Sequence, residues 1–582
     1  MSALKRLEEA GALSALDLEL AALVQRLCPE VDASVPLAAA LASAAVREGD
    51  VCVDLAALAA PVGEDGEPLA DWVWPELGGW LAALRGCALV GGSGRALVLR
   101  GSRLFLARYD SYEAEVAERL RALASGAVAP VDEALVSAAL ERLFPGSWRN
   151  DEQMDAVRAA AGRRVTVLAG GPGTGKTTTV VRLLAVLVEQ ALARGERAPT
   201  MLLLAPTGKA AARLAESIAS QRGLLAESGA VSAEVLAAIP SEAMTVHRAL
   251  RPRNDWLTRF AHDAANPWPH EVVLLDEVSM VDLPLMARTL AAVGPRARLV
   301  LLGDPDQLPS VGPGAVLGDL CALEGGGALG PVLSRLVRSR RFDAGGGVAR
   351  LARAVHEGSV EALRAIAAAP SLDARLLTPE GRLSRSPTFL QAAVSGWRSF
   401  CEAAGPAARL AAMDQFRVLC ATRVGADGVE QVNLAIERAL RRAGLLWPAE
   451  PWYDGQPILI TTNDYQLELY NGDTGVLARE GPDEPLRAWF PDGRGGLRAV
   501  APARLPAHET CFAMTVHKSQ GSEFGSVLLG LPQQGGRVLS RELLYTGVTR
   551  AKQVITVVGR LEVLAEAAPV VRRTGLRERL GA

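Results

Sequence analysis

The spacing of apolar side chains changes twice along this 582-residue chain. Up to about residue 125 they recur at helical intervals, as in LSALDLELAALVQRL and VPLAAALASAAVREG, which predicts a mainly helical module. The small, Pro-containing SGAVAPVD (125–132) predicts a linker. From about 150 the pattern becomes short runs that are apolar on both faces, each followed by a polar loop and a helical stretch. These runs are RRVTVLAG (163–170), TMLLLAP (200–206), EVVLLDE (271–277) and ARLVLLGD (297–304). A strand covered by helices on both sides has no polar face to alternate, so the runs predict buried parallel strands. FRVLCAT (416–422), FAMTVHKSQG (512–521), GSVLLGLP (525–532) and QVITVVG (553–559) predict a second such sheet. Between its first two strands, PILITTNDYQLELYNGDTGVLARE and LRAWFPDGRGGLRAV carry turn signals at short intervals and predict a small antiparallel barrel. The expected fold is α/β with two parallel sheets, a helical N-terminal module and one inserted β element.

Bulk composition narrows this little. Hydrophobic residues make up 49% and charged residues 22%, enough apolar material for several cores. A net charge of −3 does not exclude nucleic acid, because the basic residues of a strand-tracking protein are confined to one groove. The seven cysteines are scattered without a Cys-x-x-Cys pair, which argues for reduced thiols and a cytoplasmic location. No signal peptide and no membrane span are expected.

The chemistry sits where the strands end. GGPGTGKTTT fits a phosphate-binding loop built from Gly170, Gly171, Pro172, Gly173, Thr174, Gly175, Lys176, Thr177 and Thr178. Its backbone N–H groups would close around phosphates, Lys176 would reach their outer oxygens, and Thr177 would offer a hydroxyl to Mg²⁺. VVLLDEVSM adds Asp276 for the Mg²⁺ shell and Glu277 to orient or deprotonate a water. In LLGDPDQLPSVGPG, Gln307 stands where a γ-phosphate would be sensed. APTGKAAARL and AMTVHRAL put Thr207, Lys209, Thr245 and His247 at further strand ends, suited either to the phosphates of a crossing strand or, for the threonines, to helix capping. ATP with Mg²⁺ is thus the expected substrate pair, and the same sheet edge is the expected ligand face.

The order and wording of these segments resemble the superfamily 1 helicases, and specifically their RecD-like branch, from about residue 145 to 560. The resemblance implies two RecA-like P-loop motor domains with parallel sheets, a helical N-terminal domain and a small SH3-like insertion. The boundaries would be 1–125 for partner docking, 126–345 with a small insertion at 248–271, and 346–582 with the SH3-like insertion at about 445–510. Gln153, in WRNDEQMDAV, matches the family's adenine-reading glutamine. Arg341, in RSRRFDAGGG, matches its γ-phosphate arginine, although Arg340 replaces the usual preceding aromatic or His. In TVHKSQGSEF, Thr515, His517 and Lys518 would hold DNA, while Gln520, Gly521 and Glu523 would face the interdomain cleft, Glu523 as a ribose or arginine partner. In LLYTGVTRAK, Arg550 would be the arginine finger, with Tyr545 and Thr546 supporting its helix. Asn463, Asp464, Asn471 and Asp473 in the SH3-like segment read as turn formers. Trp256 and Trp268 could stack on a base or simply pack.

The implied activity is ATP-dependent 5′→3′ translocation on single-stranded DNA and unwinding of duplex ends. The chain would be the motor subunit of a heterotrimer with RecB-like beta and RecC-like gamma subunits, acting in recombinational repair. No nuclease carboxylate cluster is evident, so cutting would belong to the beta subunit. Two alternatives remain: a stand-alone RecD-like helicase, and a P-loop ATPase serving as switch or scaffold. A complete Glu277–Gln307–Arg550 set disfavours the switch. A P-loop kinase would have no use for the second sheet.

Overall fold

The computed structural model of the chain describes residues 3–581, apart from 64–67, 70, 93, 147–150, 254–258, 324–325, 327–328, 342–344, 448–451, 465, 482, 493–495 and 537. Trp256 therefore lies outside the described residues. The N-terminal module combines the expected helices with a three-stranded antiparallel sheet: β1 (Cys52–Asp54), β2 (Leu97–Arg100) and β3 (Arg103–Leu106), in the order β1-β3-β2. The mainly helical expectation missed these strands because three or four residues are too few to display a period of two. The helix Ser34–Arg47 is buried on nearly every side and is not amphipathic, since its run of alanines lets neighbours approach all around it.

The first motor sheet contains β4 (Val165–Gly170), β5 (Met201–Ala205), β6 (Met244–Thr245), β7 (Val272–Leu275), β8 (Arg298–Gly303) and β9 (Leu333–Leu336). All pair in parallel, in the order β6-β5-β7-β8-β4-β9. Alternation of side chains divides the core. Val167, Leu204, Leu275 and Leu301 pack with the helices Ala107–Ala124 and Leu283–Ala292. Leu168, Leu203, Leu274 and Val300 point the other way, against the helices Glu152–Ala161 and Lys176–Ala193. This double covering explains why each strand reads as a continuous apolar run.

The second sheet begins with β10 (Ala374–Leu377) and β11 (Phe416–Cys420). An insertion follows, made of β12 (Gln456–Ile460), β13 (Thr474–Ala478), β14 (Arg487–Pro491), β15 (Leu497–Val500) and β16 (His508–Thr510). These five form an antiparallel sheet ordered β15-β14-β13-β12-β16 around Ile458, Ile460, Leu477 and Phe490. The motor sheet resumes with β17 (Ala513–Thr515), β18 (Phe524–Gly530) and β19 (Ala551–Val558), giving the parallel order β10-β19-β18-β11-β17. The chain end does not stay with this lobe. Thr574 donates to Asp319 at 2.9 Å and the Gly575 N–H donates to Glu113 at 2.8 Å. Leu576 and Leu580 then enter the first lobe's core. The last dozen residues thus strap the second lobe to the first, a return that no local sequence signal announces.

Among the described residues no helix is long and apolar enough to cross a membrane. All seven cysteines are free thiols, as their spacing implied.

Candidate functional site

The phosphate loop leaves the end of β4, whose six residues are all buried, and runs into the helix Lys176–Ala193. Gly173 and Gly175 adopt φ of 75° and 82°, a left-handed backbone that costs glycine little and any other residue more. Side chains also hem them in: a Cβ on Gly175 would meet the Gln153 amide nitrogen at 2.1 Å, and one on Gly173 would meet the Arg341 Cβ at 2.3 Å. The Lys176 ammonium is cradled by the loop, donating to the carbonyls of Gly170 at 2.6 Å and Gly171 at 3.1 Å. The Gln153 Nε2 donates to the Thr174 carbonyl at 2.8 Å, while its Oε1 is buried without a partner and could accept from an exocyclic amine. Arg340 braces this side: its guanidinium donates to Asp151 at 2.6 Å and its N–H to the Gly173 carbonyl at 2.8 Å. Asp151 in turn caps the helix that carries Gln153.

Asp276 and Glu277 follow β7. Burial and the adjoining Glu277 push the Asp276 carboxyl up to about 7, against the pull of the Glu277 N–H and Lys176. That N–H reaches Asp276 Oδ1 at 2.8 Å. Glu277 sits at φ 52°, a strained conformation for a non-glycine residue and one that concentrates at functional sites. The Asp276 carboxylate and the Thr177 hydroxyl are hard oxygen donors of the kind that Mg²⁺ takes.

Residues of both lobes meet beyond this point. The Arg550 guanidinium is buried and donates to Gln307 Oε1 at 2.8 Å, to the Ser522 carbonyl at 3.0 Å and to the Thr546 carbonyl at 3.2 Å. Thr546 does more than support the helix, since its hydroxyl accepts from the Leu308 N–H at 2.8 Å. Gln520 Nε2 donates to the Leu308 carbonyl at 3.2 Å, completing the bridge. Arg341 donates across the cleft to Glu523 at 2.6 Å. Burial would raise the Glu523 carboxyl, but Arg341, Arg213 and Arg550 together hold it below the usual carboxylate range. The structure thus makes Glu523 an arginine partner. Gly521, at φ 68°, turns the chain between Gln520 and Glu523 and abuts Ala210 of the first lobe.

The residues expected to touch DNA line one edge. Thr207, Thr245 and Thr515 each accept from the backbone N–H three positions on, at 3.2, 3.2 and 3.3 Å, so all three cap a helical turn. Lys209 faces the second lobe; burial, Arg417 and Arg213 bring its ammonium down to about 8. Lys518 donates to the Asn471 side chain at 3.0 Å. Burial lowers the His517 imidazole, whereas His247 is exposed on the short helix after β6. The insertion's hairpin closes over this edge, with the Tyr470 ring against Gly208. Asn463, Asp464 and Asp473 serve as turn formers, accepting from N–H groups at 2.8–2.9 Å, but the Asn471 side chain goes to Lys518 instead. Trp268 is buried and donates to the Ala249 carbonyl at 3.0 Å, a packing role that leaves no face for a base.

Two site residues escaped sequence reasoning, which reads a third, Tyr545, only as a support for its helix. Arg213 lies 3.8 Å from Glu523; its position four residues after Lys209 on one helix could have placed it on the same face. Asp304 is buried, its carboxyl pushed up to about 6 by burial against the pull of Lys176, and it accepts from Gln307 Nε2 at 2.9 Å. Tyr545 reaches the phosphate loop, which its place in the sequence does not reveal.

The N-terminal stretch 9–105 matches the family described as "RecBCD enzyme subunit RecD, N-terminal domain". Residues 153–313 match an AAA domain and 510–558 a UvrD-like helicase C-terminal domain. The RecBCD enzyme subunit RecD of Mycolicibacterium smegmatis is 43% identical, covering 98% of this chain and 97% of that protein. The chain belongs to the RecD subunit family. Its counterpart from Mycobacterium tuberculosis is 42% identical over 98% of this chain and 96% of that protein. The ATP-dependent RecD2 DNA helicase of Deinococcus radiodurans is 30% identical over 74% of this chain but only 52% of its own length. A Pif1 helicase from Bacteroides, solved with ADP-AlF3 and single-stranded DNA, aligns over 72% of this chain and 92% of its own, at 15% identity and a TM-score of 0.39.

Proposed function

We propose that this RecD-family ATP-dependent DNA helicase moves 5′→3′ along single-stranded DNA as the alpha motor of a heterotrimer with RecB-like beta and RecC-like gamma subunits. It would act at duplex ends in recombinational repair, with the nuclease in the beta subunit. The observation that carries this reading is the bridge in which Arg550 and Thr546 of one lobe engage Gln307 and Leu308 of the other. Such a joint makes hydrolysis sensitive to cleft closure and closure sensitive to the phosphates.

In this reading Gln153 holds the base, residues 170–178 the phosphates, and Glu277 the attacking water. Arg341 and Arg550 leave Glu523 and Gln307 to meet charge on the transferring phosphoryl group. Thr177 and Asp276 would hold Mg²⁺, a fit supported by a buried acid whose raised carboxyl signals too little compensating positive charge. The ion would neutralise phosphate charge. The strand would run along Thr207, Lys209, Thr245, His247, Thr515, His517 and Lys518, beneath the insertion's hairpin.

Lys518→Ala removes one backbone contact. The oligonucleotide concentration for half-maximal ATPase stimulation should rise about fivefold, and the salt dependence should flatten by about one charge. An unchanged response to DNA and salt would remove Lys518 from the path.

Two observations favour the subunit over a stand-alone motor. The match covers nearly all of the RecD subunits but about half of RecD2. The helix Ala15–Leu27 also exposes Leu16, Leu23 and Leu27, at 70%, 41% and 60%, with spacings of seven and four that align them on one face. This is the face for the gamma subunit. Paired Leu16→Asp and Leu23→Asp substitutions should cut co-purification with gamma at least about tenfold, since each buried leucine contributes about 1.5–3 kcal/mol. Undiminished co-purification would assign docking elsewhere. The reconstituted complex should unwind 5′-tailed duplexes through this subunit; unwinding restricted to 3′ tails when the beta motor is disabled would reverse the polarity.

A further inference from the structure

Two arginines of the first lobe face one carboxylate of the second. Arg341 donates to Glu523 Oε1 at 2.6 Å, and the Arg213 guanidinium stands 3.8 Å from Oε2. The first contact is a full charge-assisted hydrogen bond; the second attracts by charge alone and has room to close. Glu523 keeps only 19% of its side chain exposed, so giving up its close cation is costly unless another takes the place. Arg341 stands beside the phosphate loop, where a Cβ on Gly173 would meet its own Cβ at 2.3 Å. It is near enough to serve a γ-phosphate, yet its guanidinium is committed to Glu523.

Arg213 belongs to the helix Gly208–Glu227, and four residues earlier on the same face stands Lys209. Thr207 caps this helix, accepting from the Ala210 N–H at 3.2 Å. One helical turn thus separates Arg213 from two residues read as strand contacts. The same turn leans on the second lobe: a Cβ on Gly521, two residues before Glu523, would stand 3.3 Å from the Ala210 Cβ. A hydrogen-bonded turn moves as a unit, so a strand drawn onto Thr207 and Lys209 also moves Arg213 against Glu523.

We propose that Arg213 is a positioning residue that exchanges with Arg341 on Glu523: when the strand is gripped, Arg213 takes the carboxylate and frees Arg341 for the γ-phosphate. This inference rests on the reading of Arg341 as the γ-phosphate arginine. It adds the element that links DNA to that arginine, a carboxylate with two alternative partners. The strand biases the choice through the helix, and the nucleotide biases it through Arg341. Each ligand thereby favours the arrangement that suits the other.

In the full-length chain with a saturating single-stranded oligonucleotide, Arg213→Gln should lower kcat for ATP about tenfold. KM for ATP and the oligonucleotide concentration for half-maximal stimulation should each change less than about twofold. Arg213→Lys should recover to within about threefold of wild type, since the exchange asks for charge and not for a planar fork. The decisive readout is Arg213→Gln in a Glu523→Gln background, where no carboxylate charge holds Arg341 and the substitution should bring no further loss. An unchanged kcat, a weaker response to oligonucleotide at constant kcat, no recovery in Arg213→Lys, or a full tenfold loss persisting beside Glu523→Gln would each overturn the proposal. If Arg341→Ala left kcat intact, the γ-phosphate reading of Arg341 would fall first, a result separable from failure of the exchange alone.

Discussion

Lys176→Ala is expected to reduce ATP hydrolysis to background, a loss on the order of 10³ or more, with the fold retained. The phosphate loop wraps this ammonium through the carbonyls of Gly170 and Gly171. Phosphate oxygens would take the place of those carbonyls, and alanine would leave their charge with backbone N–H groups alone. The packing around the loop does not depend on the lysine stem. Gln153, Arg340 and the buried β4 position the loop from the other side. Circular dichroism and a thermal melt should therefore be near wild type while steady-state turnover disappears. Retained turnover would refute the phosphate-loop assignment.

Arg550→Ala is expected to lower turnover about 10³-fold or more with little loss of ATP affinity. The side chain is buried and belongs to the lobe opposite the phosphate loop, so its contribution comes only when the cleft is closed. Removing it strands two acceptors, Gln307 Oε1 and the Ser522 carbonyl, at some cost in stability, while the Thr546 carbonyl keeps the Thr549 hydroxyl at 3.2 Å. Arg550→Lys separates the two effects. It keeps the charge but not the planar fork, and should recover folding stability more than activity. A kcat within a few fold of wild type for Arg550→Ala would exclude the finger role.

The strands were legible in the sequence because burial on both faces leaves an unmistakable run, as in β4, β7 and β8. The short β1, β2 and β3, and the half-exposed β9, carry no such pattern. The phosphate loop was legible because its glycines answer a backbone requirement that local sequence encodes. The bridge across the cleft was only partly so. Gln307 and Arg550 stood out, yet nothing along the chain shows that Tyr545 reaches the phosphate loop, or that Arg213 joins Arg341 at Glu523. Those pairings are made by the docking of two lobes, a long-range event without a local period. The same holds for the C-terminal strap, whose few residues find Glu113 and Asp319 hundreds of positions earlier. Arg340 is the instructive case. As a departure from the family pattern it cast doubt on the Arg341 assignment, whereas its salt bridge to Asp151 shows it bracing the Gln153 helix.

The central claim is that one cleft couples ATP hydrolysis to grip on a DNA strand. It is tested most directly by steady-state ATPase of the purified chain with and without a single-stranded oligonucleotide. The account predicts low basal turnover that rises at least about tenfold with the strand and vanishes in Lys176→Ala. Turnover indifferent to the strand at every concentration would contradict it.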